Sequence, residues 1–285
     1  MPKVSVLMPV YNTEEIWLRQ AIESILNQSY KDFEFIIIND GSTNNVKEVI
    51  LSYDDERIKY IEHKNHGLIY TLNKGLSIAQ GEYIARMDSD DISLPERFAK
   101  QVDLLDNNKK IGVVGAWIKH FPKEEIIQLK EKPRYLDILK RCELAHPVVM
   151  FKKEIFVQHN LKYEDYKYAE DYELWSRLIK CTQFYNIQEV LLNYRVHPSS
   201  ISQKFSVEQQ KVTNLVRTNI LDFLTDDINI QQQILKLVGV TANNKIKYNF
   251  FERIISIKNQ KKMGKKYKVI TLLGVKLKLK ASNNS

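Results

Sequence analysis

The chain has 285 residues, 44% hydrophobic and 27% charged, an ordinary globular composition long enough for one large domain or a domain plus an extension. No window holds the ~20 apolar residues that a membrane-spanning helix needs. Net charge is +8, and the excess is concentrated late: after residue 244 twelve lysines and arginines face the single acid Glu252. That block points to a polyanionic partner, either nucleic acid or an anionic membrane surface, with a merely solvated Lys-rich tail as the alternative.

The first nine residues carry a short apolar run stopped by Pro9, without a signal-peptide core or cleavage site, and read as a buried strand over residues 4–8. Thr13 is placed to cap the next helix, with Glu14 and Glu15 in its first turn and Ile16, Ala21, Ile22, Ile25 and Leu26 facing inward. Residues 33–38 form a second buried strand ended by Asn39-Asp40-Gly41-Ser42. A polar helix to about Tyr53, a strand over 58–61, a helix over 68–79 and a strand over 83–87 follow. Ser93 and Glu96 have capping-box spacing, with Pro95 in the first turn, for a helix burying Phe98, Val102 and Leu105. Such strand–helix units imply a mostly parallel sheet covered on both faces, with ligands beyond the carboxyl ends of its strands. Polar clusters stand at those ends: Tyr11-Asn12, Asp40-Gly41-Ser42 and Asp88-Ser89-Asp90-Asp91.

Further on, Glu170-Asp171 precedes an amphipathic helix with Tyr172, Trp175, Leu178 and Ile179 on one side. Residues 186–196 read as a strand, or a strand pair, leading into Pro198-Ser199-Ser200. From Phe205 the pattern is helical to about Gln260, with Leu215, Ile220, Leu221 and Leu224 inward. Strict alternation over 275–280, with Leu273-Gly274 as the turn, predicts a small basic β-hairpin at 266–280. Cys142 and Cys181 lie far apart without metal-ligand spacing and read as free thiols of a reducing cytoplasm.

Three carboxylates within residues 88–91, at the end of a buried strand, repel one another unless solvent or a cation neutralises them. A hard divalent ion does so and keeps positions open for phosphate oxygens; an acidic turn before a helix is the plainer reading. Asp40 could accept hydrogen bonds from a base N–H or a sugar hydroxyl, or simply make an Asp-Gly turn. Asp171 is either a helix cap or a functional carboxylate.

Taken in order and spacing, Pro9-Val10-Tyr11-Asn12, Ile38-Asn39-Asp40-Gly41-Ser42, Asn65-His66-Gly67 with Asn73-Lys74-Gly75, Asp88-Ser89-Asp90-Asp91 with Pro95-Glu96-Arg97, and Glu170-Asp171 resemble glycosyltransferase family 2. The resemblance spans residues 3–202. It implies an α/β fold of the GT-A type, a nucleotide-binding sandwich, over residues 1–205, followed by a helical extension with the Lys-rich hairpin over 206–285. It also implies inverting transfer of one hexose or N-acetylhexosamine from a UDP-sugar to a glycan hydroxyl. In that reading Pro9, Tyr11 and Asp40 hold the uracil end of the donor, and Asp88 sits near the ribose. Asp90 ligates Mn²⁺ or Mg²⁺ and Asp171 is the catalytic base. Arg195 contacts the diphosphate, His197 reaches the metal, and His146 matches a position near the acceptor. Trp175 and Tyr172 could stack on an acceptor sugar, but their helical spacing favours core packing for at least one of them.

Two departures qualify the resemblance. Thr71-Leu72-Asn73 stands where many members carry Ala-Arg-Asn, so no arginine contact to the donor is expected there. The Gln-x-x-Arg-Trp signature of processive synthases is absent, which points to transfer of a single sugar. A sugar nucleotidyltransferase would show a Gly-rich basic loop near the N-terminus, and a nicotinamide dehydrogenase would show G-x-G-x-x-G after the first strand. A nucleic-acid binder would carry its charge beside a recognised motif. The basic tail instead suggests a lipid-linked acceptor, as in lipopolysaccharide or capsule assembly. The enzyme would then be cytoplasmic and peripheral on the inner face of the membrane, with no nucleic-acid partner.

Overall fold

The computed structural model describes residues 1–197 and 205–237, together with the backbone of three strands within 257–280. It divides into two compact units, Met1–Thr213 and Asn214–Ser285.

The first unit is built on a nine-stranded sheet. Its N-terminal half is parallel, with β3 (Ile58–His63), β2 (Phe33–Asp40), β1 (Val4–Val10) and β4 (Tyr83–Arg86) side by side. Every residue of β1, β2 and β4 is buried, as expected when helices cover both faces of a sheet. The other half is mixed. β8 (Met150–Lys152) joins antiparallel to β4 and to β6 (Ile111–Phe121), while β9 (Gln183–Arg195) runs parallel to β6. Short β5 (Ile92–Ser93) closes onto β9, and β7 (Glu125–Ile127) onto β6. The parallel sheet inferred from the strand–helix alternation therefore forms where that alternation occurs, and β8 reverses direction beyond it.

Helices α1 (Glu15–Leu26), α2 (Val46–Leu51), α3 (Leu68–Ile78) and α4 (Arg97–Asn107) connect these strands. Leu18, Ala21, Ile22 and Ile25 of α1 are fully buried, whereas Ile16, expected inside, is 62% exposed. Neither expected N-terminal cap forms. Thr13 Oγ1 lies 2.6 Å from Ser89 Oγ, tying the first loop to the acidic one. Ser93 Oγ accepts from Gln28 Nε2 at 3.1 Å, and α4 starts only at Arg97. Both hydroxyls serve long-range contacts in place of local caps. Three further helices, α5 (Tyr135–Lys140), α6 (Lys153–Gln158) and α7 (Glu170–Leu178), complete the unit's covering.

In the second unit, Val216, Ile220, Leu221 and Leu224 of α8 (Ser206–Leu224) are buried, as are Ile230, Ile234 and Leu235 of α9 (Ile228–Leu237). Leu215, expected among them, is 52% exposed. The basic segment forms an antiparallel sheet of β10 (Ile257–Lys262), β11 (Lys265–Leu272) and β12 (Val275–Lys280). The expected hairpin is β11–β12, to which β10 adds a third strand; the turn at Leu273-Gly274 lies outside the described residues.

Candidate active site

The site gathers at the carboxyl ends of the parallel strands. Pro9 is paired inside β1 opposite Ile38, and just past that strand Tyr11 is 54% exposed. Asn12 fixes this corner: its N–H donates to Ser42 Oγ at 2.9 Å and its Oδ1 accepts the Thr43 N–H at 2.8 Å. Asp40 is buried, and its two carboxylate oxygens accept the N–H groups of His66 (2.8 Å) and Gly67 (2.9 Å), so it pins the loop before α3. A carboxylate has about four acceptor positions, which leaves capacity for a base N–H beside this structural duty. Gly41 has φ +71°, and an added Cβ would stand 2.5 Å from the Asn65 backbone nitrogen. Only glycine allows the β2 and β3 loops to approach this closely. Between them opens a pocket of about 590 Å³, lined by Gly41, Ser42, Glu62, His63, Lys64 and Asn65.

Just past the end of β4, Asp88, Asp90 and Asp91 bring one carboxylate oxygen each within 4.8 Å of one another. Arg195 and His197, from the end of β9, converge on them. The Arg195 N–H donates to Asp91 Oδ1 (2.8 Å) and its Nε to the Asp90 carbonyl (2.7 Å). His197 Nε2 lies 3.0 Å from Asp90 Oδ2. Trp17 of α1, which the sequence reading did not single out, packs against both: its ring lies 5.2 Å from the Arg195 guanidinium and 4.8 Å from the His197 ring. Burial, opposed in part by the Arg86 cation, pushes the Asp88 carboxyl up. Burial and the neighbouring carboxylates push Asp91 well above the usual range. Asp91 Oδ2 is buried with no hydrogen-bond partner among the described residues. An all-oxygen donor set with mutually repelling charges and an unsatisfied oxygen fits a hard divalent cation. Pro198-Ser199-Ser200, which follow the end of β9 in sequence, lie outside the described residues.

The second pair of carboxylates opens α7. Ala169 holds the N-cap position, so Asp171 is not the cap; its Oδ1 accepts the Tyr172 N–H at 2.7 Å. Burial and the adjacent Asp171 push Glu170 up to about 7. Burial also raises Asp171, against the opposing Tyr172 N–H and the Arg86 cation. Both residues remain half-buried, which suits groups that must reach solvent-borne substrate. His146 is buried and kept neutral by burial, with Nε2 2.8 Å from Tyr163 Oη. Asn73 of α3 exchanges two hydrogen bonds with the Tyr163 backbone, at 2.8 and 2.9 Å.

The acceptor-stacking expectation needs correction. Trp175 is 0% exposed and packs edge-on against His146 and Phe184; Tyr172 is 4% exposed and donates its hydroxyl hydrogen to the Ile138 carbonyl. Both are core residues, because the inner face of α7 is the face that carries them.

The sequence profile described as glycosyl transferase family 2 matches residues 5–165, more than half of the chain. The chain belongs to glycosyl transferase family 2. A glycosyltransferase of Haemophilus influenzae is 31% identical over 259 residues, covering 84% of this chain and 79% of its own. The putative glycosyltransferase EpsE of Bacillus subtilis is 35% identical over 204 residues, covering 68% and 73%. Among solved structures, S. aureus TarS 1-349 in complex with UDP-GlcNAc superposes with a TM-score of 0.69 at 18% identity, covering 83% of this chain and 71% of that one. The mannosyltransferase PcManGT of Pyrobaculum calidifontis, with GDP-Man and Mn²⁺, gives 0.56 at 15% identity, covering 86% and 76%. At such identities the structural likeness speaks for the fold, which is the GT-A glycosyltransferase fold. This family 2 member is a glycosyltransferase, and the nucleotidyltransferase, dehydrogenase and non-catalytic readings fall away.

Proposed function

We propose that the protein is an inverting, divalent-cation-dependent transferase that moves one hexose or N-acetylhexosamine from a UDP-sugar to a hydroxyl of a lipid-linked glycan. The observation that carries this reading is the meeting of two carboxylate groups with different surroundings in one site. Asp88, Asp90 and Asp91 repel one another and leave a buried oxygen unsatisfied, while Glu170 and Asp171 form a half-buried pair whose carboxyls are pushed up by burial. Asp90, with Asp88, Asp91 and His197 nearby, would hold Mn²⁺ or Mg²⁺. When bound, such an ion stabilises the charge that develops on the departing diphosphate. Tyr11 offers an exposed ring for the base, and the UDP-GlcNAc bound by TarS supports a uridine donor.

Asp171 takes the proton from the acceptor hydroxyl as that oxygen attacks the anomeric carbon from the face opposite the leaving group. Arg195, fixed by Asp90, Asp91 and Trp17, stands on the diphosphate side. The basic C-terminal segment supports a lipid-linked acceptor of the lipopolysaccharide or capsule type: its lysines would hold the enzyme on the inner face of the cytoplasmic membrane. A panel of UDP- and GDP-sugars, assayed for hydrolysis and transfer with Mn²⁺, with Mg²⁺ and in EDTA, tests the donor and the ion together. Turnover with a UDP-sugar that is lost in EDTA and in Asp90→Asn is expected. Full turnover in EDTA, or a preference for GDP-sugars, would refute the corresponding half.

A further inference from the structure

Tyr168 stands in a backbone conformation that its side chain disfavours. Its φ is +75°, in the left-handed region where a bulky residue is an outlier. The other described non-glycine residues with positive φ have local reasons. Asn12 and Asn160 are asparagines, which tolerate that region, and Glu124 turns the chain between β6 and β7. Tyr168 has no such reason. It precedes Ala169, the N-cap of α7, and so stands two residues before Glu170 and three before Asp171. Strain of this kind persists only where the surroundings over-determine it, and it gathers at functional sites.

The surroundings that hold Tyr168 come from later in the chain. Gln209, in the first turn of α8, donates from Nε2 to the Tyr168 carbonyl at 2.9 Å. The Phe205 ring, just before α8, lies almost flat on the Tyr168 ring, with 4.4 Å between centroids and 11° between planes. The Gln209 N–H also donates to the Phe205 carbonyl at 2.8 Å, so the ring and the amide belong to one turn. Phe205 and Gln209 both lie within the first unit, Met1–Thr213, and beyond the residues 5–165 that the family profile matches. The segment before Tyr168 is tied down as well: Asn73 bonds the Tyr163 backbone, and Arg177 donates to the Lys162 carbonyl at 2.8 Å. Tyr168 is the last of these ties before α7, whose first turn closes as the Glu173 N–H donates to the Ala169 carbonyl at 2.9 Å. Both stacked rings are only half-buried, so they matter less as core than as a fixed direction for the chain entering α7.

We propose that Phe205 and Gln209 are positioning residues for sugar transfer: they clamp Tyr168 and so fix the first turn of α7 where Asp171 can take the acceptor's proton. This rests on the reading of Asp171 as the base. Neither residue acts on the reacting atoms; both act through the Tyr168 backbone. A displacement of about 1 Å at a reacting group can cost on the order of 100-fold in rate, so a small drift at the entry of α7 suffices.

The test uses the full chain and the nucleotide sugar that it hydrolyses fastest in the donor panel. Turnover and donor KM are measured for Phe205→Ala, Gln209→Ala and Phe205→Tyr beside Asp171→Asn, each checked for folding by its melting curve. The two alanine variants should lose about 10-fold or more in kcat while donor KM stays within about twofold. Phe205→Tyr keeps the stacked ring and should keep kcat. Hydrogen exchange over residues 164–172 should quicken in both alanine variants and not in Phe205→Tyr, a measurement that needs no substrate. A merely structural role would lower the melting temperature and leave the kcat of the folded variants alone. Unchanged kcat in folded Phe205→Ala and Gln209→Ala overturns the proposal, as does a loss in Phe205→Tyr equal to that in Phe205→Ala. Should Phe205→Ala fail to fold, Gln209→Ala decides by the same measurements. If Asp171→Asn retains turnover, the base assignment itself fails; if it is inactive while the alanine variants keep kcat, only the clamp fails.

Discussion

At the scale of single residues, the proposed chemistry turns on the carboxylates of α7. Asp171→Asn keeps the size of the side chain but cannot take a proton, so turnover should fall by about 10²–10⁴-fold. Donor affinity and melting temperature should change little, since the donor is held elsewhere and Ala169 holds the cap position. Near-normal turnover in the purified variant would move the base, with Glu170 the first alternative. The pair also sets the pH dependence. Burial and the neighbouring Asp171 push Glu170 up to about 7 from an ordinary 4.5, and burial raises Asp171 as well, so kcat/KM should fall as pH drops below about 7. The apparent values belong to the pair, not to either residue. Glu170→Gln removes the like charge and should shift the acidic limb to lower pH. Stability runs the other way: between 4.5 and 7 the folded protein keeps a Glu170 proton that the unfolded chain releases. That contribution is complete below 4.5 and is lost as pH rises through 7, so Glu170→Gln should flatten this slope in pH-dependent thermal melts.

Among the elements, the pocket lined by Gly41 and Asn65 depends on how closely the loops after β2 and β3 approach. Gly41 meets the Asn65 backbone, and backbone cannot yield as a flexible side-chain end can. Its φ of +71° adds a second cost for any other residue. Gly41→Ala should therefore lose about 1–3 kcal/mol of stability, read by denaturant unfolding, and raise the donor KM as the pocket is pried open. A variant with unchanged stability would mean that the loops separate freely.

For the molecule as a whole, the charge is divided unequally along the chain. The lysines of β10–β12 contribute much of the net +8, and the carboxylate site lies in the first unit. Deleting residues 257–285 should weaken binding to anionic liposomes while leaving donor hydrolysis nearly intact. Surface electrostatics are screened over roughly 8 Å at physiological salt, so liposome binding by the full chain should fade as salt rises. Equal binding by the truncated protein, or binding indifferent to salt, would sink the membrane assignment.

Sequence alone determined the strand–helix alternation, the parallel half of the sheet and the three polar corners at its carboxyl ends. These follow from hydrophobic period and turn chemistry, which are local properties of the chain. It also determined the family, because five short motifs kept their order and spacing. What a side chain does when its partner is distant in the chain was decided only by the tertiary structure. Thr13 and Ser93 look like caps locally but bond Ser89 and Gln28 instead. Trp175 has the composition of a sugar platform but lies on the buried face of α7. Asp40 reads as a ligand group and is already pinning the loop before α3. Trp17 carried no motif; its importance comes from Arg195 and His197, which lie far from it in sequence and reach it only once the sheet is formed. Hydrogen bonds and burial are satisfied through space, and the folded chain chooses among partners that sequence neighbours cannot reveal.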